Sequence, residues 1–216
     1  NNAFRAHGGA RNLLFENIAA FNSKDIYPGM SESYLNGDGF IFESDVTNVT
    51  LRRIVSANHW DAGFDIKASN VLIENVITYG NKNNFKMWGS NILIKSSLSH
   101  HAKRQLRPNG STVEGHGITV ESGTTRLVNV TFVDNEHYDV RVYAAGSLTM
   151  VNSIVARQAS NGWLFGKQSG GVFSEENSLW YDAGRTNPGF SLSSTSIWAD
   201  PRFVDWRDGN FRLTDT

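Results

Sequence analysis

The sequence predicts an all-β protein whose chain winds as a right-handed parallel β-helix. Three observations predict this fold. Two short phrases return every 21 to 24 positions, each period contains two or three short β-type runs, and no stretch shows sustained helical periodicity. Asn, Gly and Ser separate the runs, as they do at tight bends between strands. A stacked coil of short strands accounts for all three observations.

The first repeated phrase is an apolar run that begins with Asn. It occurs at Asn48–Leu51, Asn70–Ile73 and Asn91–Ile94, and an earlier copy extends from Asn12 to Asn22. We expect its apolar side chains to point inward and to stack on the next coil. The Asn side chains are expected to form an amide ladder that satisfies backbone groups at the bends.

The second repeated phrase places a short apolar strand directly after Gly or Asn. Its copies are Gly39–Phe42, Gly63–Ile66, Asn84–Met87 and Gly117–Val120. A leucine-rich repeat has a similar period, but its Leu-x-x-Leu-x-Leu frame is absent here. An antiparallel sandwich is the other all-β alternative, and it does not predict that one phrase returns at one phase.

Composition predicts a single domain over residues 1–216, with regular coils over about 3–160 and a C-terminal coil and cap over about 161–216. The chain has 216 residues, of which 39% are apolar, enough for one core. Zero Cys excludes a disulfide scaffold and a thiol nucleophile. A net charge of −1 gives no general attraction to nucleic acid or to a membrane surface. Aromatic residues crowd the last third of the chain, as expected of a cap.

Three places interrupt the regular pattern. Insertions at Lys24–Gly37 and Lys103–Gly115 lengthen two turns, and insertions in solenoids often lie on the binding face. The first coil, at Phe4, has no evident N-terminal cap, and an open coil edge favours pairing. We therefore expect a missing segment, a partner chain or an unusual cap at that edge.

Three aspartates fall close together when the coils are stacked. Asp38 precedes Gly39-Phe40, Asp61 lies 23 positions later at nearly the same phase, and Asp65 follows across a tight turn. Converging carboxylates repel one another unless a cation neutralises them. Oxygen ligands without Cys suit Ca²⁺. The sequence therefore predicts a calcium site here, against the alternative that each Asp only caps a turn.

Lys86 is the candidate catalytic residue beside this site. It follows Phe85 as Asp65 follows Phe64, so we expect it to stack on Asp65 in the next coil. One interpretation is a salt bridge to Asp65. The other is a base whose pKa is lowered by the nearby cation, so that the neutral amine is available.

These motifs resemble the core of the family 9 polysaccharide lyases, the pectate lyase-like β-helix enzymes. The resemblance rests on Gly37–Phe40, Asp61–Asp65 and Asn84–Met87, and it covers about residues 10–140. Ala62 stands where that family usually carries a second Asp, and the loop before Lys86 is shorter than usual. The resemblance implies a secreted enzyme, of a kind mostly found in bacteria, that uses Ca²⁺ and a lysine base.

The reaction implied by the resemblance is β-elimination on a uronate polymer, with polygalacturonate as the expected substrate. Asp38, Asp61 and Asp65 match the calcium ligands, and Lys86 matches the residue that takes the C5 proton. Several further residues are candidates for binding the acidic polysaccharide or protonating the leaving group. They are Arg104 and Arg107 on the second insertion, His100 and His101 after the Lys86 coil, and Trp60, Tyr79 and Trp88. For His101 we favour a bend position in the amide ladder.

Three other functions remain open from the sequence. An alginate lyase or uronan C5-epimerase removes the same proton. An inverting glycoside hydrolase would use Asp61 and Asp65 as its acid and base, which leaves Lys86 without a role. A carbohydrate-binding or adhesive β-helix would have no catalytic step, because a fold alone does not define a function.

Overall fold

The computed structural model describes residues 2–24, 37–107, 109–158 and 162–214. These residues form strands, bends and turns without a helix, so the all-β fold class is confirmed. Residues 25–36 of the first insertion and Pro108 of the second lie outside the described residues. The strands are β1 (Phe4–Ala6), β2 (Arg11–Phe21), β3 (Phe40–Phe42), β4 (Thr47–Ala57), β5 (Ala62–Ile66), β6 (Ser69–Glu74), β7 (Ile77–Tyr79), β8 (Asn83–Met87), β9 (Ile92–His100), β10 (Gln105–Leu106), β11 (Thr112–Val113), β12 (His116–Val133), β13 (Tyr138–Val151), β14 (Ile154–Arg157), β15 (Trp163–Lys167), β16 (Val172–Glu176), β17 (Leu179–Asp182), β18 (Ile197–Trp198), β19 (Phe203–Asp205) and β20 (Asn210–Leu213).

The strands stack into three parallel ladders, one on each side of the coil. The first ladder contains β1, β3, β5, β8, β15 and the N-terminal parts of β12 and β13. The second is built mainly from β2, β4, β6, β9 and β16. The third contains the C-terminal ends of the long strands together with β7, β14 and β17. Long strands such as β12 run from one ladder into the next across a bend. This parallel arrangement is the predicted β-helix.

The inward side chains form the core, and one stack of phenylalanines follows the first ladder. The ring centroids of Phe4 and Phe40 lie 4.8 Å apart, those of Phe40 and Phe64 5.3 Å, and those of Phe64 and Phe85 5.4 Å. Phe40, Phe64 and Phe85 are fully buried. Stacking the same aromatic residue at the same phase fixes the register between coils, because a slip by one residue would turn these rings outward.

The bends are held by Asn residues in the left-handed backbone conformation. Asn12, Asn48, Asn70 and Asn91 all have φ between 56° and 58° at equivalent positions. The Asn91 Nδ2 group donates to Asn70 Oδ1 at 2.8 Å, and Asn48 Nδ2 donates to Asn12 Oδ1 at 3.1 Å. The predicted amide ladder is therefore confirmed. Asn tolerates this backbone region better than most residues with a side chain.

A second, buried set of amides fixes the start of the first ladder. The Asn81 side chain donates to Asn84 Oδ1 at 2.9 Å, and Asn84 donates to Asn135 Oδ1 at 3.0 Å. Asn135 in turn donates to Asp139, whose other oxygen lies 2.9 Å from the Arg157 guanidinium. Because buried polar groups need partners, this network holds successive coils at one phase just before the strand that carries Lys86.

The C-terminal region continues the coil and then becomes less regular. β15, β16 and β17 complete one more coil, and Phe165, Phe173 and Trp180 fill its interior. Phe190 covers this coil, with its ring centroid 4.9 Å from both Phe165 and Trp180. The antiparallel hairpin β19–β20 then packs on the outside of the third ladder through Phe203. The predicted capping region is therefore confirmed.

The first coil is less buried than the second. Leu13, Phe15 and Ile18 are half-buried, whereas Leu51 and Ile54, which pair with Phe15 and Ile18, are 0% and 1% exposed. β2 pairs with β4 alone among the described strands. The expectation of a partner chain or a further segment at this edge stays a prediction.

Candidate functional site

The outward side of the first ladder carries a column whose residue changes at every coil. Ile41 pairs with Asp65, Asp65 pairs with Lys86, and Lys86 pairs with Thr119. Thr119 pairs in turn with Arg141. The register predicted between Asp65 and Lys86 is confirmed. Neighbouring strands lie about 4.8 Å apart, so charged side chains distant in sequence meet in this column.

Asp38 and Asp61 lie close together, one residue apart in phase. Phe40 pairs with Phe64, which places Asp38 opposite Ala62. The Ala62 backbone N–H donates to Asp38 Oδ1 at 2.9 Å. The Phe-to-Phe spacing of 24 and the Asp-to-Asp spacing of 23 account for this offset, in agreement with the nearly equal phase that the sequence indicated.

Lys86 lies against two of the three carboxylates. Its Nζ is 3.2 Å from Asp61 Oδ2 and 3.8 Å from Asp65 Oδ2. Lys82, one coil beyond Asp61, reaches Asp61 Oδ1 at 2.7 Å. Asp38, Asp61 and Asp65 are 2%, 5% and 4% exposed, so these charges interact with little screening by solvent. We refer to Asp38, Asp61, Asp65 and Lys86 as the carboxylate–lysine cluster.

Burial and mutual repulsion shift the pKa values within this cluster. Burial, together with the charges of Asp61 and Asp65, raises the pKa of Asp38 to about 8. Burial also raises the pKa of Asp65, against the opposing effect of Lys86. Burial opposes ionisation of Asp61, but Lys82 and Lys86 outweigh it and lower its pKa. Asp38 and Asp65 are therefore harder to ionise than an exposed Asp, and Asp61 is easier to ionise. Lys67 Nζ also lies 3.7 Å from Asp65 Oδ2, so lysines already surround these carboxylates.

The pKa of Lys86 is shifted in the direction opposite to that of a base at neutral pH. Burial alone would lower it, but the charges of Asp61, Asp65 and Asp38 outweigh burial and raise it above its ordinary value. Lys86 therefore forms the salt-bridged arrangement that the sequence left as an alternative. A role as a base requires that a cation compete with Lys86 for these carboxylates.

The donor set fits a hard cation such as Ca²⁺. Asp65 Oδ1 and Asn83 Oδ1 are buried on this side of the ladder and have no hydrogen-bond partner. A buried oxygen without a donor loses hydration and gains nothing in return, unless a ligand supplies the positive charge. Asp38, Asp61 and Asp65 would supply carboxylate oxygens, and Ala62 supplies none.

Of the aromatic candidates, Trp88 lies beside the cluster and Trp60 lies apart from it. Lys86 Nζ is 5.8 Å from the centre of the Trp88 ring, which is 38% exposed. Trp60 lines a separate depression with Lys24 and Lys103. Trp88 is therefore the aromatic side chain placed to contact a ligand at Lys86.

The arginines of the second insertion lie on the loop that carries the short antiparallel pair β10–β11. The Arg104 guanidinium lies 3.4 Å from Glu136 Oε1, so Arg104 is tied to the coil that follows β12. Arg107 donates its backbone N–H to Ser111 O at 2.7 Å, and its Nε is buried without a hydrogen-bond partner. Neither arginine contacts the carboxylate–lysine cluster through a described bond.

His100 and His101 lie at the end of the third ladder rather than on the outward side of the first. The His100 ring stacks on Tyr79 with centroids 4.9 Å apart, and it lies 5.0 Å from the ring of Phe211 in the C-terminal hairpin. His101 has φ 48° and occupies a bend, as its sequence position indicated. His100 and His101 thus lie on a different ladder from Lys86, and the proton-donor role considered for them stays a prediction.

The sequence analysis missed a second group of polar residues on the same side of the first ladder. His116 pairs with Asn83 and Tyr138, and the His137 ring lies 5.2 Å from that of His116. The Arg141 guanidinium lies 4.9 Å from the centre of the Tyr138 ring. The phase of His116 follows from the repeated phrase at Gly117–Val120, but the next coil, at Asp139–Val142, lacks the Gly or Asn that opens the phrase, so the approach of His137 was not evident.

The described residues contain no helix long and apolar enough to cross a membrane.

No protein family model matches the chain, and no curated protein matches it. The solved structures that resemble it include the three described next. Pectate lyase Pel9A is 16% identical, with a TM-score of 0.56 over 67% of this chain and 40% of that chain. An endo-xylogalacturonan hydrolase from Aspergillus tubingensis is 16% identical, with a TM-score of 0.47 over 90% of this chain and 61% of that chain.

The third similar structure is the tailspike gp61 of Pseudomonas phage phi297, 11% identical with a TM-score of 0.36 over 80% of this chain and 35% of that chain. The chain thus spans less than half the length of the pectate lyase and under two thirds of the hydrolase. At this identity, the likeness to the pectate lyase supports the parallel β-helix fold and no more.

Proposed function

We propose that the protein is a polysaccharide lyase that cleaves a uronate-containing polymer by β-elimination, with Lys86 as the base and Ca²⁺ as the cofactor. The observation that carries the proposal is the pairing of Asp65 with Lys86 on a ladder that also buries Asp38 and Asp61. Burying Lys86 beside Asp61 and Asp65 carries a desolvation cost that an apolar residue of similar size would avoid, so a purely structural role explains it poorly. The likeness in fold to a pectate lyase is consistent with this proposal.

The chain's own residues have distinct parts in the proposed reaction. Asp38, Asp61 and Asp65 would hold the cation, and the two partnerless oxygens described above mark where positive charge is lacking. A bound Ca²⁺ supplies positive charge that attracts the substrate carboxylate and makes the adjacent C5 proton more acidic. Such a cation would compete with Lys86 for Asp61 and Asp65 and would lower the pKa of Lys86 from its raised value.

Lys86 Nζ then takes the C5 proton of the uronate. The electrons of the C5–H bond form a C4–C5 double bond, and the C4–O bond breaks with its electrons leaving on the glycosidic oxygen. That oxygen gains a proton from solvent, so atoms and charge balance. Trp88 would contact the sugar next to Lys86, since its ring is exposed beside Nζ. Because such polymers lie outside cells, the proposal includes an extracellular location.

The product distinguishes this proposal from its alternatives. The purified chain is incubated with polygalacturonate, rhamnogalacturonan or alginate, in Ca²⁺ or in chelator, and the ultraviolet absorbance of unsaturated uronate is followed together with new reducing ends. We expect unsaturated product from at least one polymer, and none in chelator. New reducing ends without unsaturation would instead indicate a hydrolase. Binding without either product would indicate a carbohydrate-binding protein, and each of these results would overturn the proposal.

A further inference from the structure

A second cluster of metal-ligating side chains lies on the outward side of the first ladder, beyond the carboxylate–lysine cluster. Glu114, His116 and His137 each offer one ligand atom, and these atoms all lie within 4.8 Å of one another. His137 Nδ1 is 2.7 Å from Glu114 Oε2. These three residues come from two successive coils, so the stacking of the coils brings them together. We refer to them as the histidine–glutamate cluster.

The fold fixes the two histidines by backbone bonds. His116 begins β12 and donates its backbone N–H to Lys82 O at 2.7 Å. His137 donates its backbone N–H to Gly115 O at 2.8 Å, one coil further along. His116 is therefore held within a paired strand, and His137, one residue before β13, is held to the preceding coil by its backbone bond. Sites carried on strands hold their ligands more closely in place than sites carried on loops.

His116 has a buried nitrogen with nothing to bind. The residue is only 6% exposed, and its Nδ1 has no hydrogen-bond partner. A buried ring nitrogen without a partner is costly and calls for an explanation. No repeat of the coil requires His here, since the paired residues on neighbouring strands are Asn83 and Tyr138. The neighbouring coils therefore show no repeated structural contact that would require a histidine at position 116.

We propose that Glu114, His116 and His137 form a binding site for a divalent transition metal ion, with Zn²⁺ as the best match. Two imidazole nitrogens and one carboxylate oxygen form a donor set typical of zinc sites that keep a position open for another ligand. Ca²⁺ prefers oxygen ligands, so it does not suit this cluster. The inference does not rest on the proposed lyase activity.

The site lies beside the outward column that contains Lys86. The His116 ring lies 5.8 Å from the Tyr138 ring, which the Arg141 guanidinium covers. Arg141 pairs with Thr119, the partner of Lys86 in the next strand. The side chain of Glu114 is 46% exposed, so its carboxylate can adjust to an ion. The Arg141 guanidinium stacks between Tyr138 and Tyr143, at 4.9 and 4.8 Å from their ring centres. An anionic group is therefore the class of ligand that the open metal position and Arg141 would bind together.

The test is zinc binding by the full chain, measured by titration calorimetry and elemental analysis after chelator treatment and dialysis. We expect one Zn²⁺ per chain, unaffected by excess Ca²⁺. His137→Ala should weaken binding at least about a hundredfold, because losing an outer-shell partner alone costs about 10- to 100-fold. Glu114→Gln, at a more exposed side chain, should weaken it at least about tenfold and guards against misfolding of the His137 variant.

Asp65→Asn and His100→Ala are the matched controls, since each removes a possible ligand elsewhere in the molecule. Both should bind Zn²⁺ as the unaltered chain does. Failure of the unaltered chain to bind Zn²⁺ would overturn the inference. Equal binding by His137→Ala and Glu114→Gln, or loss of binding in Asp65→Asn alone, would also overturn it. If the unaltered chain binds zinc but forms no unsaturated product, that result would contradict only the proposed function.

Discussion

The bends and the core of the coils repeat the same residue types from coil to coil, whereas the outward column of the first ladder does not. At one bend the same residue returns in four coils, as Asn12, Asn48, Asn70 and Asn91. In the core, phenylalanine stacks on phenylalanine along the first ladder. The outward column instead changes from Asp65 to Lys86 to Thr119 to Arg141.

This difference separates structural from chemical requirements. A solenoid needs the same contact at every coil, so residues that maintain stacking repeat. A binding site needs different groups at adjacent positions, so it departs from the repeat. Positions where the repeat is broken by buried charge are therefore the candidates for function in this molecule, and positions where it is kept are expected to affect stability.

The largest effect on stability is expected in the core stack. Phe64→Ala removes a fully buried ring between Phe40 and Phe85, and we expect it to lower the free energy of unfolding by about 3–5 kcal/mol. Urea unfolding followed by tryptophan fluorescence measures this change. Trp88→Ala is the outward control, and we expect a smaller loss there, since its ring is 38% exposed. Equal losses in the two variants would remove the distinction between core and outward positions.

An effect of pH is expected at a buried histidine in a corner of the coil. His59 is fully buried, its Nδ1 accepts a hydrogen bond from the Ser23 N–H, and burial lowers its pKa from 6.5 to about 4. The unfolded chain thus binds a proton that the folded chain resists, and the stability provided by neutral His59 is present above pH 6.5 and is lost as pH falls towards 4. Each pH unit in this window removes up to about 1.4 kcal/mol.

His59→Asn keeps an acceptor for Ser23 and does not titrate. We expect its free energy of unfolding to depend less steeply on pH between 6.5 and 4 than that of the unaltered chain. The reason is that unfolding of the variant takes up one proton fewer. Urea unfolding at a series of pH values gives both slopes. Identical slopes would show that His59 is not held neutral by burial.

The smallest effect is expected at the bends. Asn70 has φ 57° and accepts a hydrogen bond from Asn91 Nδ2. Asn70→Ala loses this bond and places an unsuited side chain in the left-handed region, which should cost about 1–2 kcal/mol. Asn70→Gly loses the bond but suits the backbone, so it should cost less. Thermal or urea unfolding of the pair measures the difference, and an Ala variant as stable as the Gly variant would argue against a backbone requirement here.

The fold was predictable because the repeat reports on it at many positions. The spacing between Phe40 and Phe64 and the recurrence of Asn at bends are local signals, and both correspond to contacts in the structure. The alignment of Lys86 on Asp65 followed from the same spacing. Sequence reasoning about the site was therefore reliable where the coil length was constant.

The rest of the site could not be read in this way. Spacing places Asp38 and Asp61 nearly in phase, but it does not show that the Ala62 backbone N–H occupies Asp38 Oδ1. The repeated phrase at Gly117–Val120 fixes the phase of His116, but Asp139–Val142 lacks the opening Gly or Asn, so the coil that places His137 beside His116 was not evident. The direction of the Lys86 pKa shift depends on burial and on three carboxylates together, which no spacing reveals.

The most direct test of the central claim is the rate of unsaturated-product formation by Lys86→Ala beside Lys95→Ala. Lys95 pairs with Glu74 at 2.8 Å on the second ladder, so its loss removes an exposed charge without touching the carboxylate–lysine cluster. We predict that Lys86→Ala, although folded, loses activity by about 10²–10⁴-fold, as expected for a missing general base, and that Lys95→Ala stays within about twofold of the unaltered chain. Full activity in a folded Lys86→Ala variant would contradict the assignment of Lys86 as the base.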